Sequence, residues 1–332
     1  MGGDYGAQVT VPASLECLRR HPDLKLLLVG DQNKIHRWID GKSGDLQSRL
    51  EIVHTEFAID ENQQPGSSFR HNKNSSMHVA VEAVKQNEAD ACVSAGNTGA
   101  LLLIGRHLLK MVPGIERPAI VARLPAADKS VYILDVGANI NCQAHHLFQF
   151  AVMGSVLAGK VELKAEPRIC LLNIGVEDYK GTEQIKLAAK RLNSCENLNY
   201  SGFIEGSELF SGRADVVVCD GFAGNVTIKT SEGVVNAIQH ILQQQENRNW
   251  INRFLGKLLS PLLDSFRSQI NPNKFNGATF LGLRGTIVKS HGNTDRDGFC
   301  NAIEQAIREV KNDIPSLIAH RIALISTAVK TV

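Results

Sequence analysis

The 332-residue sequence lacks the charge imbalance and the long apolar runs that identify several large classes of protein. Its formal net charge is only +2, too small to indicate a nucleic-acid partner. No run approaches the ~18 continuous apolar residues of a membrane span. The N-terminus opens on a glycine turn rather than on a signal peptide. With 43% hydrophobic and 21% charged residues, we expect an ordinary globular protein.

Cysteine and histidine motifs are absent as well. The seven cysteines are odd in number, irregularly spaced and without a C-x-x-C pair, which argues against a zinc ribbon or a thioredoxin-like site. Most lie inside apolar runs, which is typical of reduced core thiols in a cytoplasmic protein. The histidines are scattered and form no H-E-x-x-H motif. The sequence therefore predicts neither a metal nor a cofactor.

Three common enzyme fingerprints are missing. There is no G-x-x-x-x-G-K-[ST] phosphate loop and no G-x-G-x-x-G after the first predicted strand. There is also no G-x-S-x-G nucleophile elbow. These absences exclude the usual patterns of P-loop nucleotide binding, nicotinamide binding and α/β-hydrolase catalysis.

What is present is an alternation of short apolar runs with helical patterns. Near-continuous hydrophobicity predicts strands that are buried on both faces, and strands that alternate with helices predict a mostly parallel sheet. We therefore predict a single α/β domain over residues 1–332, with helices on both faces of the sheet. The predicted strands are Leu24–Val29, Leu50–Val53, Ala89–Ser94, Ala119–Leu124, Val131–Asp135, Arg168–Ile174, Asp215–Cys219 and Thr286–Ser290. The predicted helices include Ser75–Gln86, Thr98–Lys110, His145–Leu157 and Thr182–Leu192, with two more from Asp297 to the end.

Five of these strands run into loops of glycine and polar residues. Ligands of open α/β sheets bind outside the carboxyl ends of the strands, so we expect the five loops to converge on one site. A Gly-Asn-Thr-Gly turn that opens a helix also directs free backbone N–H groups toward an anion. The alternative is that such loops are only tight turns. The candidate anion- and substrate-binding residues are Asn97, Thr98, Gly99, Asp135, Asn139, Asp220, Gly224, Lys289, Ser290 and His291.

Two kinds of candidate have a competing structural interpretation. For Asp135 and Asp220, at the ends of their strands, we favour capping a loop or orienting a lysine over acid–base work. For His291, a structural hydrogen bond is the alternative to ligand binding.

Eight segments, in order over nearly the whole chain, resemble the motifs of the bacterial PlsX family. They are MGGD (Met1–Asp4), SAGNTGAL (Ser94–Leu101), GIERPA (Gly114–Ala119), LDVGAN (Leu134–Asn139), LLNIG with KG (Leu171–Gly175, Lys180–Gly181), CDGFAGNV (Cys219–Val226), FLGLRG (Phe280–Gly285) and VKSHG (Val288–Gly292). The resemblance implies an acyl-acyl carrier protein:phosphate acyltransferase of phospholipid synthesis. It also implies a homodimer with a fold similar to isocitrate and isopropylmalate dehydrogenases. The family usually has a short strand before MGGD and often a threonine at the position of Ala223.

The resemblance implies Lys180 and Asn225 as catalytic residues. Phosphate is already an anionic nucleophile, and a thiol with a pKa of about 8.5 is a good leaving group, so a strong protein base is not required. The protein must instead position the reactants and stabilise charge. We expect Lys180 to hold phosphate and Asn225 to donate to the oxyanion, in a direct attack without a covalent enzyme intermediate.

A helical stretch without strands follows Gly221–Asn225, and residues 230–270 are interpreted as a lobe protruding from the α/β body. Its basic amphipathic pattern is typical of a helix on an anionic membrane, and Pro261 would kink or split it. The same face could instead dock a homodimer partner or acyl carrier protein, or be buried within the lobe. The residues predicted to make this contact are Trp250, Arg253, Phe254, Lys257, Leu258, Leu262 and Phe266.

From the resemblance we expect a cytoplasmic enzyme associated peripherally with the inner face of the membrane, near a downstream membrane acyltransferase. Three alternatives remain open. The chain could be a decarboxylating dehydrogenase on the shared fold, a transacylase that uses coenzyme A thioesters, or a catalytically silent scaffold.

Overall fold

The computed structural model describes residues 2–39, 44–60, 73–127, 129–247 and 272–330. Short 3-10 helices lie at Gly44–Arg49, Gly206–Glu208 and Pro272–Phe275. The helices and strands within the described ranges are, in chain order, α1 (Ala7–Arg20), β1 (Leu26–Gly30), α2 (Gln32–Ile39), β2 (Leu50–His54), α3 (Ser76–Lys85), β3 (Ala91–Ser94), α4 (Thr98–Leu109), β4 (Ala119–Ala126), β5 (Lys129–Leu134), α5 (Ala144–Val161), β6 (Ile169–Leu172), α6 (Glu183–Asn193), β7 (Tyr200–Ile204), β8 (Val216–Val218), α7 (Gly221–Asn247), β9 (Ala278–Leu281), β10 (Thr286–Lys289), α8 (Arg296–Lys311) and α9 (Ile314–Lys330).

An eight-stranded sheet organises the chain, in the order β3-β10-β9-β4-β5-β8-β6-β7. Four of its seven pairings are parallel, which confirms the predicted mostly parallel α/β class. The three antiparallel pairings involve β9 and β4 at the middle of the sheet. As a result, β3, β10 and β4 run in one direction, and β9, β5, β8, β6 and β7 run in the other.

All eight predicted strands are present, but two of them lie outside this sheet. β1 and β2 pair in parallel as a separate two-stranded sheet. Two strands of the large sheet were not predicted. β7 is an edge strand that contains Gly202 and is only half-buried along most of its length, and β9 has only four residues. Such short or interrupted apolar runs give a weak sequence signal.

Capping side chains explain where several helices begin. The Asn97 side chain accepts the Ala100 N–H at the start of α4, and the Ser75 side chain accepts the His78 N–H at the start of α3. Thr182 and Asp295 cap α6 and α8 in the same way. Each cap satisfies a helical N–H group that has no partner inside the helix, and contributes about 1 kcal/mol.

Both faces of the sheet are covered by helices. On β5, Tyr132 and Leu134 face a core formed with α5, α6 and α9. The alternating residues Val131 and Ile133 face the opposite core, against which Ile228 of α7 packs. Each fully buried aliphatic side chain contributes about 1.5–3 kcal/mol. The near-continuous apolar runs in the sequence therefore reflect strands with two buried faces, as predicted.

The long helix α7 extends over 27 residues from Gly221 to Asn247. It begins four residues before Asn225, so this residue lies within the helix and not in a glycine loop before it. Only part of the predicted 230–270 lobe falls within the described residues. None of the described helices combines the length and the apolar character that crossing a bilayer requires.

Candidate active site

The polar loops that follow the strands lie at two opposite edges of the large sheet. The loops after β5, β6 and β8 share one edge because these strands are parallel neighbours. The loops after β3 and β10 share the other edge, because this pair runs in the opposite direction. The expectation that all five loops converge on one edge is therefore wrong. We call the end of the sheet with the loops after β5, β6 and β8 the Lys180 edge. The opposite end, with the loops after β3 and β10, is the His291 edge.

Asp135 organises the loop that follows β5 at the Lys180 edge. Its fully buried carboxylate accepts hydrogen bonds from the backbone N–H groups of Ile120, Gly137, Ala138 and Asn139, and from the Asn139 side chain. Burial raises the pKa of Asp135 above its ordinary value, although these hydrogen bonds oppose that effect. Asp135 and Asn139 are thus occupied in holding the loop, in line with the capping role favoured from the sequence.

The start of α7 packs directly against this loop. A Cβ on Gly224 would lie 1.9 Å from the Asp135 carbonyl oxygen, and one on Gly221 would lie 2.7 Å from the Asn139 carbonyl oxygen. The Gly221 N–H donates to that Asn139 oxygen at 2.7 Å. Asp220 caps the helix, because its carboxylate accepts the Ala223 N–H at 2.8 Å. Gly224 and Asp220 therefore position the helix, and neither is a free ligand-binding group.

Asn225 lies in the first turns of α7 and is exposed to solvent. Its side-chain Nδ2 donates to the Val136 carbonyl oxygen at 3.2 Å, which joins α7 to the loop after β5. One amide hydrogen remains available for a ligand, since an asparagine side chain has two. Asn225 therefore offers an oriented donor at the Lys180 edge.

Lys180 belongs to the loop between β6 and α6. The side chain of Asn173 holds this loop by donating to the carbonyl oxygens of Gly175 and Lys180. The Lys180 ammonium lies 2.9 Å from Glu177, and this contact lowers the pKa of the Glu177 carboxyl. Lys180 is partly exposed, so its ammonium is oriented but still accessible. Asn173 and Glu177 were not predicted from the sequence, although Asn173 lies in the LLNIG segment and Glu177 lies between that segment and Lys180–Gly181.

At the His291 edge, the Gly-Asn-Thr-Gly turn opens α4 as predicted. Asn97 caps the helix, and Thr98 and Gly99 form its first turn. The glycine turn at the N-terminus lies alongside, where the Asp4 N–H donates to the Gly292 carbonyl oxygen at 2.9 Å. A Cβ on Gly3 would lie 2.9 Å from the same oxygen, so three separate segments meet closely here.

The Lys-Ser-His loop at this edge is held by Asn276, a buried residue that the sequence analysis did not single out. Its Nδ2 donates to the Ser290 hydroxyl at 2.8 Å, and its Oδ1 accepts the His291 N–H at 3.0 Å. Ser290 is fully buried and has a structural role. Lys289 donates to the carbonyl oxygens of Ala95 and Ser290. His291 is the member of this loop whose side chain reaches toward α7.

α7 brings a further charged pair to His291. Glu232 lies 2.8 Å from the Lys229 ammonium through one carboxylate oxygen and 3.7 Å from His291 Nε2 through the other. Burial lowers the pKa of His291, an effect that Glu232 opposes and that Lys229 and Lys289 reinforce. α7 thus links the two edges, with Asn225 near one and Glu232 near the other. Neither Lys229 nor Glu232 was among the predicted site residues.

Two groups of side chains in the described ranges have donor atoms within 4.8 Å of one another, as a metal site would require. Cys17, Cys300 and Glu304 form the first. In the second, His145 and His146 surround Glu116. His146 Nδ1 accepts the Gln143 N–H, which leaves the proton of the neutral ring on Nε2, facing Glu116. The side chains of the second group are therefore held by hydrogen bonds to one another and to the backbone. The absence of a metal stays a prediction.

The residues predicted to contact a membrane or partner all lie outside the described ranges. They are Trp250, Arg253, Phe254, Lys257, Leu258, Leu262 and Phe266.

Solved structures with a similar fold include two enzymes that transfer acyl groups. A phosphotransacetylase from Streptococcus pyogenes superposes with a TM-score of 0.61 at 14% identity, over 92% of this chain and 91% of the other. A branched-chain phosphotransacylase from Enterococcus faecalis gives a TM-score of 0.54 at 16% identity, over 93% of this chain and 97% of the other. At these identities the similarity confirms the α/β fold alone.

Sequence relatives are much closer. A protein named phosphate acyltransferase from Shewanella amazonensis is 49% identical over 97% of this chain and 94% of the relative. One of the same name from Shewanella baltica is 48% identical over the same shares. The family model described as fatty acid synthesis protein matches residues 1–317. The chain therefore belongs to the fatty acid synthesis protein family, the PlsX family that its motifs resemble, and it is an acyltransferase.

Proposed function

We propose that this protein transfers a fatty acyl group from acyl-acyl carrier protein to inorganic phosphate and so supplies acyl phosphate for phosphatidic acid synthesis. The observation that carries the proposal is the position of Lys180 and Asn225. These residues follow β6 and β8, which are adjacent parallel strands, so a cation and an amide donor share one sheet edge. Membership of the family and the name of its relatives, phosphate acyltransferase, support phosphate as the acceptor.

In the proposed reaction, a phosphate oxygen attacks the carbonyl carbon of the thioester. The tetrahedral intermediate carries an oxyanion, and its collapse breaks the carbon–sulfur bond. The products are acyl phosphate and the carrier thiolate, which takes a proton from solvent. Lys180 offsets the charge of the incoming phosphate, and Asn225 donates its remaining amide hydrogen to the oxyanion. Because both groups are already oriented by neighbours, little reorganisation is needed during the reaction.

Apolar side chains around these two residues support a fatty acyl substrate. Six of them are exposed on the loops after β5 and β6 and on the first turns of α7, with exposed fractions from 48% to 79%. Water-exposed apolar patches of this kind mark binding sites in soluble proteins. We call this group the apolar rim, and its members are Ile140, Ile174, Val176, Tyr179, Phe222 and Val226.

Three further features are part of the proposal. The enzyme acts as a homodimer, it associates with the inner face of the membrane from the cytoplasm, and its product passes to a membrane acyltransferase. These features rest on the family resemblance and on the amphipathic pattern of residues 250–267. Flotation with anionic vesicles tests the membrane contact. Binding that is unchanged in a folded Leu258→Glu, Leu262→Glu variant would refute it.

One assay separates the proposed reaction from its alternatives. The protein is mixed with acyl-acyl carrier protein and phosphate, and acyl phosphate is trapped with hydroxylamine. A phosphate-dependent hydroxamate supports the proposal, and its absence would overturn it in favour of a scaffold. A higher kcat/KM with acyl-coenzyme A would reassign the donor. Reduction of NAD in the presence of a hydroxy acid would indicate a dehydrogenase.

A further inference from the structure

Three polar residues occupy one face of α7 between the two sheet edges. Asn225, Lys229 and Glu232 are spaced at i, i+4 and i+7, so their side chains project on the same side of the helix. Helical rise places Lys229 about 6 Å along the axis from Asn225. Asn225 and Lys229 are both exposed, so they face solvent on the same side of α7.

Glu232 fixes the direction of this lysine. One carboxylate oxygen lies 2.8 Å from the Lys229 ammonium, and the other lies 3.7 Å from His291 Nε2. The Glu232 side chain is only 26% exposed, while Lys229 is 60% exposed and His291 43%. The carboxylate is thus sheltered between an exposed lysine and a partly covered imidazole. A simple surface ion pair on one helix would need no third member from another element.

The charges around this carboxylate favour an anion. Around His291, Lys229 and Lys289 each carry a positive charge, Glu232 carries one negative charge, and burial favours the neutral form of the ring. The net charge of these side chains is therefore positive, and Lys229 faces solvent. An imidazole Nε2–H and an ammonium are both donors, which suits a ligand that has several acceptor oxygens.

We propose that Lys229 binds inorganic phosphate, and that Glu232 positions Lys229 beside His291, on the face of α7 that also carries Asn225. This inference rests on the proposed function, because it names where the acceptor substrate binds. It assigns Lys229 and His291 to phosphate contact and Glu232 to positioning. Lys180 then acts on the phosphate from the side of the Lys180 edge.

The kinetic test compares phosphate with the acyl donor. Lys229→Gln should raise KM for phosphate about 10- to 100-fold, the change expected for loss of one charge-assisted contact, and leave KM for acyl-acyl carrier protein within about two-fold. Lys229→Arg should recover part of the loss. Glu232→Gln should raise the same KM by a smaller factor, and Glu232→Asp should restore it in part. A phosphate KM that is unchanged in Lys229→Gln would overturn the inference.

The chain offers a matched control on α3. Lys85 pairs with Glu82 at 2.8 Å with similar exposure, also at a spacing of three residues. Lys85→Gln and Glu82→Gln should leave both KM values unchanged. If these variants raise KM for phosphate as much as Lys229→Gln does, the effect is one of general surface charge and the inference fails.

A binding measurement distinguishes the failure of this inference from failure of the proposed function. Inorganic phosphate alone should raise the unfolding temperature of the native protein, and Lys229→Gln should abolish that shift. If Lys229→Gln loses the shift and the native protein shows no turnover, the site is supported and the reaction is refuted. If the native protein turns over normally and phosphate shifts both the native protein and Lys229→Gln equally, the reaction is supported and the site is refuted.

Discussion

Asn225 donates its side-chain amide to the carbonyl oxygen of Val136 at 3.2 Å, and this bond joins the first turns of α7 to the loop after β5. The proposed oxyanion donor is therefore oriented by a backbone acceptor before substrate arrives. The fold therefore also sets the direction of its remaining amide hydrogen.

Lys180→Ala and Asn225→Ala should each lower kcat for acyl phosphate formation by about 100-fold or more, as expected when one preorganised electrostatic contact is lost. Both side chains are at least partly exposed, so the unfolding temperature should change little. Lys186→Ala is a control, because Lys186 pairs with Glu183 at the same three-residue spacing on α6. Near-normal rates in both site variants would refute the site assignment.

Gly224→Ala should destabilise the protein by several kcal/mol. The new methyl group would lie 1.9 Å from the Asp135 carbonyl oxygen, so α7 or the loop after β5 must move. Gly233→Ala on the same helix meets no atom within 4 Å and should stabilise the protein by about 0.5–1 kcal/mol. Denaturant unfolding measures both changes. Equal midpoints for the two variants would contradict the close packing at Gly224.

Asp135→Asn should cost about 3 kcal/mol of folding stability. The amide nitrogen of asparagine cannot accept a hydrogen bond, so at least two of the five N–H groups around residue 135 would lose their acceptor. Asp220→Asn should cost less than about 1 kcal/mol, since Asp220 caps α7 by accepting the Ala223 N–H and asparagine is also a good cap. Similar losses in the two variants would show that Asp135 does not hold the loop.

Replacing the apolar rim should affect long acyl chains selectively. Tyr179→Ser and Phe222→Ser should raise KM for a palmitoyl donor several-fold and change KM for a butyryl donor little, because only the long chain reaches these side chains. Leu163→Ser is the control, as Leu163 is 89% exposed but lies beyond the opposite end of α5. Equal effects on both donors would assign the rim to the carrier protein or to a second copy of the chain.

Stability should fall as pH rises from about 5 to about 8 because of Glu309. Burial raises the pKa of this carboxyl to about 7, although Thr279 and Gln305 donate hydrogen bonds to it. The folded state therefore holds a proton that the unfolded state releases, and this stabilisation is complete below the ordinary pKa and lost above about 7. The contribution of Glu309 is on the order of 3 kcal/mol.

Glu309→Gln isolates this contribution, because glutamine keeps an acceptor oxygen and carries no ionisable proton. Unfolding free energies measured between pH 5 and pH 8 should decline less steeply in the variant than in the native protein. Parallel curves would mean that Glu309 does not titrate in this range.

The elements were predictable because both faces of the central strands are buried. Val131–Leu134 is apolar at every position for this reason, and a capping Asn or Ser precedes α4 and α3. The direction of the strands was missed, although the sequence carried a signal. Only six residues separate the predicted strands that end at Leu124 and begin at Val131. A parallel crossover requires about a dozen or more residues, so this pair had to be antiparallel.

The contacts between distant residues could not be predicted. Nothing in the local sequence indicates that Glu232 meets His291, because the two are 59 positions apart and their approach depends on how α7 crosses the sheet. Asn276 was missed for the same reason, since its partners Ser290 and Thr294 belong to a later loop. Motif resemblance supplied the candidate residues of the site, and only the tertiary arrangement assigned Gly224 and Ser290 to support.

The continuity of α7 has a geometric consequence for the two groups proposed to handle substrate. Asn225 and Lys229 are separated by about one turn of an uninterrupted helix. The helix therefore fixes the distance along its axis between the proposed oxyanion donor and the ammonium proposed to bind phosphate. If α7 tilts or shifts as one rigid helix, the two groups move together and their spacing along the axis is conserved. Selection between acceptor anions then depends on a fixed interval along one helix. Insertion of a single residue between positions 225 and 229 would rotate one group by about 100° relative to the other.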